Sequence, residues 1–403
     1  MSDPTEPRDH AAAEIDERNT PVRVAHVYVH APFCARRCFY CDFAVQVRRE
    51  ADPAPWAEAV GRERALLERE GRAVLADPLA TLYVGGGTPS LLGPRAMTLL
   101  AHALGPERLE VGDLEWTAEA NPESVTAVLV EAWRRAGVNR MSLGVQSFQE
   151  PVLRWMGRLH GAEGARRAVS AARAAGVSNL SVDLIFGLPD TVPRDWSLDL
   201  ETAIGLDVPH VSLYGLTAET GTPLGRGVAD GRITMAGDGR YADEYLEAAE
   251  RLAAAGYHHY EVSNFARPGA ESEHNRAYWD GRAYLGLGNS SHSFLPPLRR
   301  WNVRGWTDYL GEVLDGRLPV EGEDVPEPAG RRLEGIWLAL RTDRGLPLDG
   351  LDAAAPARRL QDWIGRGLAR SEEGHLRLTA RGWLVLDTLA VELDETLGER
   401  VPG

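Results

Sequence analysis

The sequence predicts an α/β protein built on a parallel sheet. Short apolar runs alternate with longer stretches of helical periodicity from residue 22 onward. Three of the helical stretches end alike, with Gly137, Gly176 or Gly256 placed where a helix C-cap needs left-handed backbone, just before the next apolar run. Strand–helix units repeated six times favour parallel strands joined by right-handed crossovers. The repeat alone fits a closed eight-fold barrel or a partial one.

The elements follow in chain order. The predicted strands are 24–29, 81–85, 115–119, 140–145, 180–186, 210–215 and 258–262. The predicted helices between them are 54–71, 95–104, 123–136, 162–175, 194–204 and 239–255.

The chain divides into a large core and a smaller C-terminal region. Residues 1–21 are acidic and poor in large apolar side chains, which predicts a disordered tail. The core is expected over 22–315, and 316–330 is rich in proline, glycine and acids, as in a linker. Beyond it, 331–396 reads as two helices, a hairpin turning at Glu373-Gly374 and a last helix capped by Thr379, an order like that of a winged helix.

All three cysteines lie within one short stretch, Cys34, Cys38 and Cys41, in a C-x3-C-x2-C spacing. Three thiolates on one loop can hold an iron–sulfur cubane and leave its fourth iron without a protein ligand. Zinc held by these cysteines and His30 is the alternative, but structural zinc sites usually present two separated ligand pairs. A disulfide fits less well, because the number of cysteines is odd and they are very close together. The cluster is the favoured interpretation.

Composition narrows the function classes. The chain of 403 residues contains no lysine, which excludes a Schiff-base lysine and a lysine-bearing phosphate loop. The net charge of −15 argues against nucleic acid as a partner. No apolar run is long enough to span a bilayer, and the first twenty residues lack the apolar region of a signal peptide, so we expect a cytoplasmic protein.

Polar residues follow the predicted strands at the end where parallel barrels carry their chemistry. Gly85-Gly86-Gly87-Thr88-Pro89 comes after the second strand, Glu119 ends the third, Gln146 ends the fourth, and Asp183 lies in the fifth. A tight turn or solvated surface positions remain the simpler alternatives for these residues.

A second unusual stretch follows the predicted barrel, within a substrate segment expected over 257–300. His274 stands beside Tyr278 and Trp279, a combination that suits a flat macrocycle with an axial nitrogen ligand. A lone histidine is more often a structural hydrogen-bonding group, so that alternative stays open. His292, His258 and His259 are the fallback ligands.

The cysteine spacing, followed by Asp42-Phe43 and led by Tyr28 and His30, closely resembles the radical S-adenosylmethionine (SAM) superfamily. In that superfamily the amine and carboxylate of SAM chelate the open iron of a [4Fe–4S] cluster. The resemblance implies a partial (β/α)6 barrel, with the glycine loop near the SAM amino group and Arg158 on its carboxylate. It further implies ribose contacts from acidic residues, and the full set of expected SAM residues is Tyr28, Tyr40, Gly86, Gly87, Thr88, Glu119, Gln146, Arg158 and Asp183.

Over roughly residues 22–395 the motifs resemble the coproporphyrinogen-oxidase-like branch of that superfamily. The oxidases of this branch follow the third cysteine with Gly-Cys, whereas Cys41 is followed by Asp42-Phe43. The Cys-Asp-Phe ending and the His-Asn-x-x-Tyr-Trp segment resemble instead the heme chaperone HemW family. This resemblance implies heme as cargo, an acceptor protein that could include a transiently bound membrane protein, and an electron donor such as flavodoxin or ferredoxin. A radical decarboxylase of coproporphyrinogen III is the alternative.

Overall fold

The structure is a computed structural model, and it describes residues 21–109, 112–349, 351 and 354–398. The predicted tail, 1–21, therefore lies outside the described residues except for residue 21. The strands are β1 Val22–Val24, β2 His26–Ala31, β3 Phe33–Cys34, β4 Gln46–Val47, β5 Ala73–Leu75, β6 Thr81–Gly86, β7 Glu115–Ala120, β8 Arg140–Gln146, β9 Asn179–Phe186, β10 His210–Gly215, β11 His258–Glu261, β12 Asn264–Ala266, β13 Tyr284–Leu287, β14 His292–Leu295, β15 Leu298–Asn302, β16 Val320–Asp324, β17 Leu346–Pro347, β18 Ala369–Glu372 and β19 His375–Leu378.

The helices alternate with these strands through the first two thirds of the chain. They are α1 Pro53–Arg69, α2 Ala96–Leu104, α3 Ala127–Ala136, α4 Glu150–Met156, α5 Gly161–Ala174, α6 Trp196–Gly205, α7 Pro223–Ala229, α8 Asp238–Ala254, α9 Glu273–Trp279, α10 Trp306–Leu314, α11 Pro328–Leu340, α12 Ala354–Gly365, α13 Ala380–Trp383 and α14 Leu386–Gly398. No helix within the described ranges is long and apolar enough to cross a membrane.

Six of the seven predicted strands lie side by side in chain order, β2, β6, β7, β8, β9 and β10, and every neighbouring pair is parallel. The seventh, predicted over 258–262, is β11, which pairs antiparallel with β12 at the edge of the sheet. The predicted parallel sheet is thus confirmed. The sheet does not close on itself, because β13 pairs with β2 at one end of the set and β12 pairs with β10 at the other. The fold is an open, barrel-like α/β sheet, as expected for a partial barrel.

The helix ends follow the local sequence. The Thr126 side chain accepts a hydrogen bond from the Leu129 amide at the start of α3, and Gly137 ends that helix with φ +119°. Gly176 and Gly256 also have positive φ, so all three predicted glycine caps are confirmed. Apolar faces of these helices cover the sheet, and the largest fully buried side chains there include Trp56, Trp116 and Trp133.

An antiparallel extension of the sheet was not predicted. Strands β13, β14, β15 and β16 continue the sheet beyond β2. The expected linker over 316–330 therefore contains an edge strand, β16, and the start of α11. The linker was predicted from its acidic residues. Three of them, Glu321, Glu323 and Asp324, are exposed side chains of this edge strand, where charged residues are common.

The C-terminal region forms a small α+β unit. Its three-stranded sheet has the order β17-β19-β18, and Glu373 and Gly374 turn the predicted hairpin with positive φ. Thr379 caps a helix as expected, but this is the short α13, and α14 follows it. The buried residues Trp363 and Leu393 belong to a core that is continuous with that of the large sheet.

Candidate functional site

Two adjoining cavities open at the C-terminal edge of the parallel strands. The smaller cavity, about 410 Å³, is lined by the three cysteines, the glycine loop and polar residues of β7, β8 and β9. The larger cavity, about 820 Å³, lies between the cysteine loop, strands β13–β15 and helix α11. Both are within the usual size range of ligand sites. Four residues line both cavities: Asp42, Phe43, Gly86 and Glu119.

The cysteine loop begins on β3 and presents three free thiols, Cys34, Cys38 and Cys41, to the smaller cavity. Strand β3 pairs with β4, which closes the loop, and the Cys41 amide donates to the Cys38 carbonyl at 3.2 Å. Burial raises the pKa of the Cys34 thiol to about 11 and also raises that of Cys41. Thiolates in such surroundings need nearby positive charge, which iron would supply. The donor set therefore fits a metal cluster.

The zinc alternative fits less well. The His30 ring is held on both sides, with Nδ1 3.1 Å from the Tyr28 hydroxyl and Nε2 3.1 Å from the Ala44 carbonyl oxygen. Among the described residues, no group of three or more His, Cys, Asp or Glu side chains is spaced to hold a single metal ion. A cubane bonds each thiolate to a different iron, so its thiolates lie further apart than those around one ion.

The glycine loop after β6 is needed for close backbone packing. A Cβ atom on Gly86, where φ is +101°, would lie 2.3 Å from His30 Nδ1, and one on Gly87 would lie 2.6 Å from the Ala31 carbonyl oxygen. A Cβ on Gly85 would lie 2.8 Å from the Glu119 carboxylate. The loop can therefore approach the cysteine loop and the cavity only because it has no side chains.

Arg158 and Gln146 supply polar atoms without protein partners. The Arg158 Nη2 atom donates to Asn121 Oδ1 at 2.6 Å and to the Gly144 carbonyl, while its buried Nε has no partner. The Gln146 Oε1 atom is likewise buried and unpartnered, and this residue ends β8 with φ +68°. Buried polar groups are normally hydrogen-bonded, so the orphan donor and the orphan acceptor on this wall point to a polar ligand.

Two carboxylates complete the smaller cavity. Glu119 accepts hydrogen bonds from the Tyr83 hydroxyl at 2.9 Å and from the Gly86 amide at 3.0 Å. Burial, together with the nearby Asp183 carboxylate, raises the pKa of Glu119 to about 7. Asp183 accepts from Ser142 Oγ at 2.9 Å, and burial raises its pKa as well. Groups of this kind can bond hydroxyls as donor or as acceptor.

All of the expected SAM residues except Tyr28 line the smaller cavity. Tyr28 lies on the wall of the larger cavity instead, because its hydroxyl reaches back to His30. Tyr40 lies in the smaller cavity, and burial raises its pKa. Sequence reasoning missed several lining residues, namely Asn121, Ser142, Tyr214, Thr217 and Glu219. Their positions within or just after β7, β8 and β10 were the available signal.

The structure corrects the expectation for His274. This residue is 1 % exposed, with Nδ1 2.7 Å from Thr81 Oγ1 and Nε2 2.9 Å from the Tyr278 hydroxyl. Its ring stacks on Tyr83, and burial lowers its pKa to about 3. Both ring nitrogens are therefore engaged, and His274 lines neither cavity. It is a buried structural histidine in this structure.

Of the three fallback histidines, only one lines a cavity. His258 pairs with Asp343 at 3.2 Å, and His259 is stacked on Phe265, so neither reaches a cavity. His292 lines the larger cavity together with Tyr278 and Trp279. The larger cavity thus contains one histidine from the fallback set and both expected aromatic residues.

Comparisons with known proteins agree with this architecture. The chain matches the Radical SAM superfamily over residues 28–203. Heme chaperone HemW of Mycobacterium tuberculosis is 37 % identical over 366 residues, covering 90 % of this chain and 93 % of that protein. Heme chaperone HemW of Synechocystis is 35 % identical over 328 residues, covering 79 % and 78 %.

A solved structure shares the fold. Coproporphyrinogen III oxidase (HemN) from Escherichia coli superposes with a TM-score of 0.76 over 93 % of this chain and 91 % of that one. Its sequence identity is 23 %, so this likeness concerns the fold alone. The extent and identity of the sequence matches decide the family. The chain belongs to the heme chaperone HemW family of the radical SAM superfamily.

Proposed function

We propose that this protein is a heme chaperone, which binds heme as cargo in the larger cavity and transfers it to an acceptor protein. A SAM-liganded [4Fe–4S] cluster would occupy the smaller cavity beside it. One observation carries the proposal: a cavity large enough for a macrocycle and a cysteine-lined cavity share the wall formed by Asp42, Phe43, Gly86 and Glu119. The relatives named as heme chaperones support the same function.

In the smaller cavity, Cys34, Cys38 and Cys41 would hold three irons of the cluster. When bound, the cluster supplies an open iron for SAM and a source of single electrons. Arg158, whose Nε has no protein partner, would bind the SAM carboxylate, and the glycine-loop carbonyls would accept from its amino group. Glu119 and Asp183 would hold the ribose hydroxyls, with Gln146 Oε1 accepting at either end.

In the larger cavity, His292 is the residue suited to bind heme iron. It lines the cavity, its imidazole makes no hydrogen bond within the described part of the chain, and its ring stacks on Trp301. Partial burial lowers its pKa, which favours the neutral imidazole that binds metal. Tyr278 and Trp279 offer aromatic surface for a porphyrin face.

A radical decarboxylase of coproporphyrinogen III is the second candidate, because the same pair of cavities could place a porphyrinogen beside SAM. The sequence after Cys41 favours the chaperone, since Asp42-Phe43 stands where the oxidases have Gly-Cys. We further propose a cytoplasmic location, an electron donor such as flavodoxin or ferredoxin, and an acceptor that could be a membrane protein engaged transiently. No role for nucleic acid is proposed for a chain of net charge −15.

The proposal is tested with anaerobically reconstituted protein. We expect iron and sulfide in cluster proportions, loss of both in Cys38→Ser, and retention of heme binding in that variant, because the two proposed sites share no ligand. Heme-loaded protein should convert an apoprotein such as apomyoglobin to its holo form faster than heme dissociates spontaneously. Stoichiometric zinc without sulfide would contradict the cluster. Absence of heme binding in the wild type would contradict the chaperone.

A further inference from the structure

The larger cavity has three arginines on its wall, of which one is paired with a carboxylate and two are bonded to backbone carbonyl oxygens. Arg299 is paired with the carboxylate of Glu334. Arg304 donates from Nη2 to the carbonyl oxygen of Asp42, and Arg331 donates from Nη1 to the carbonyl oxygen of Pro326. Within the described ranges, neither Arg304 nor Arg331 has a carboxylate partner. Two guanidinium groups therefore face this cavity with their charges uncompensated by the protein.

Nearby arginines at the junction with the C-terminal region do have such partners. Arg344 pairs with Asp280 at 2.7 Å, and Arg276 lies 3.5 Å from Asp343. The chain has 59 acidic residues against 44 arginines, so carboxylates are plentiful. A guanidinium fork matches a carboxylate through two parallel hydrogen bonds. The guanidinium groups of Arg304 and Arg331, which have no carboxylate partner among the described residues, are therefore available to an anionic ligand.

The acidic residues on the wall do not neutralise the positive charge of Arg304 and Arg331. Glu334 is already neutralised by Arg299. Burial raises the pKa of Glu119 to about 7, so this carboxyl carries less than a full charge near neutral pH. Asp42 is the third acidic side chain that lines this cavity. The wall thus carries three arginines and three acidic residues, of which Glu119 is only partly charged. The resulting excess of positive charge suits a ligand that carries carboxylates.

We propose that Arg304 and Arg331 recognise the carboxylates of the cargo, so that the larger cavity selects a planar macrocycle bearing two acid groups. This inference rests on the proposed function and adds its ligand specificity. The two arginines come from different parts of the chain, Arg304 from the loop after β15 and Arg331 from α11. A dianionic macrocycle would therefore join the large sheet to the C-terminal region.

Aromatic surface and charge then have separate tasks. Tyr278, Trp279 and Phe294 would contact the apolar rings of the macrocycle. The two arginines would fix the orientation of the macrocycle by binding the edge that carries its carboxylates. A neutral macrocycle of the same shape would keep the apolar contacts and lose the charged ones. The predicted discrimination is thus between acid and ester forms of one ligand.

The test compares heme with its dimethyl ester, titrated by absorbance at one low detergent concentration. Wild-type protein should bind heme about tenfold or more tightly than the ester, as expected for charge-assisted hydrogen bonds. Arg304→Gln and Arg331→Gln should each weaken heme by about tenfold and leave the ester unchanged, and the double variant should bind both forms alike. Arg304→Lys should retain part of the preference.

Arg226→Gln is the matched control. Among the described residues, the exposed Arg226 side chain donates only to the Gly221 carbonyl oxygen, so it also has a backbone carbonyl and no carboxylate as its partner, but it lies outside the larger cavity. It should bind heme like the wild type, and unchanged iron and sulfide contents would confirm that every variant is folded. Equal affinity of the wild type for heme and its ester, or unaltered heme affinity in the double variant, would overturn the inference but would not affect the proposed chaperone function. Failure of the wild type to bind heme at all would overturn both.

Discussion

Thr88 Oγ1 donates a hydrogen bond to Cys34 Sγ at 3.2 Å, which joins the glycine loop to the cysteine loop. The same hydroxyl accepts from Asn121 Nδ2 at 3.1 Å, and Asn121 Oδ1 accepts from Arg158 at 2.6 Å. A chain of three hydrogen bonds thus connects a proposed cluster ligand to the proposed SAM carboxylate partner. It crosses from the cysteine loop to β6, β7 and the segment after α4.

Thr88→Val removes the hydrogen bond to the Cys34 sulfur without removing volume. Hydrogen bonds to cluster sulfurs make reduction easier, so we expect a more negative reduction potential in the variant. Thr88→Ser, which keeps the hydroxyl, should behave like the wild type. A redox titration followed by electron paramagnetic resonance measures the shift, and equal potentials for all three proteins would place Thr88 outside the cluster's surroundings.

Arg158→Ala should weaken SAM binding by about tenfold or more and leave the cluster in place. A charge-assisted hydrogen bond contributes about 1.5–3 kcal/mol, and the arginine does not bond to iron. Isothermal titration under anaerobic conditions measures the affinity. Arg154→Ala is the control, since Arg154 is 70 % exposed on α4 and pairs weakly with Glu150 at 3.8 Å. Unchanged SAM affinity in Arg158→Ala would remove this residue from the site.

His292→Ala and His274→Ala should have opposite effects. The His292 imidazole lines the larger cavity without a hydrogen-bonding partner among the described residues, so its loss should lower heme affinity and leave stability unchanged. His274 is buried with both nitrogens bonded, so its loss should cost about 1–3 kcal/mol of unfolding free energy. Heme titration and urea unfolding separate the two outcomes. Normal heme affinity in His292→Ala would send the search for the axial ligand to other residues.

Glu261 should make the protein less stable as pH rises between about 4.5 and 7. Burial raises the pKa of this carboxyl from 4.5 to about 7 in the folded state. In this window the unfolded chain has lost the proton that the folded chain keeps, so unfolding becomes easier as pH increases. Below the window both states are protonated, and the full stabilisation is present.

The matched variant is Glu261→Gln, which keeps the shape of the side chain and removes the titration. Its urea midpoint should fall less across the same pH range than that of the wild type, with Glu119 accounting for a remaining slope. Parallel pH profiles for the variant and the wild type would contradict a raised pKa at Glu261.

Local signals in the sequence were sufficient for the central sheet and for part of the smaller cavity, whereas Tyr40 and Arg158 were expected there from the resemblance to the radical SAM superfamily. Apolar runs and glycine caps located the six parallel strands, and the rule that chemistry lies at strand ends brought Glu119, Gln146 and Asp183 to one wall. The cysteines were identified by spacing alone. These features depend on neighbours in sequence or on the regular geometry of parallel strands.

The larger cavity depends on long-range pairing, which local patterns do not encode. Its walls come from the cysteine loop, from β13–β15 and from α11, and the acidic edge strand β16 resembled a linker. His274 looked like a ligand because its neighbours are aromatic, but its partner Thr81 lies 193 residues away in sequence. Whether a histidine is a ligand or a structural group is decided by such distant partners.

The central claim, that the larger cavity takes heme as cargo and does not decarboxylate a porphyrinogen, is tested most directly in one sample. Anaerobic, cluster-loaded protein with SAM and a reductant is given coproporphyrinogen III, and product is measured by chromatography while a parallel portion is titrated with heme. We predict saturable heme binding that depends on His292 and no turnover of coproporphyrinogen III. Conversion of coproporphyrinogen III at enzymatic rates by protein that binds no heme would contradict it.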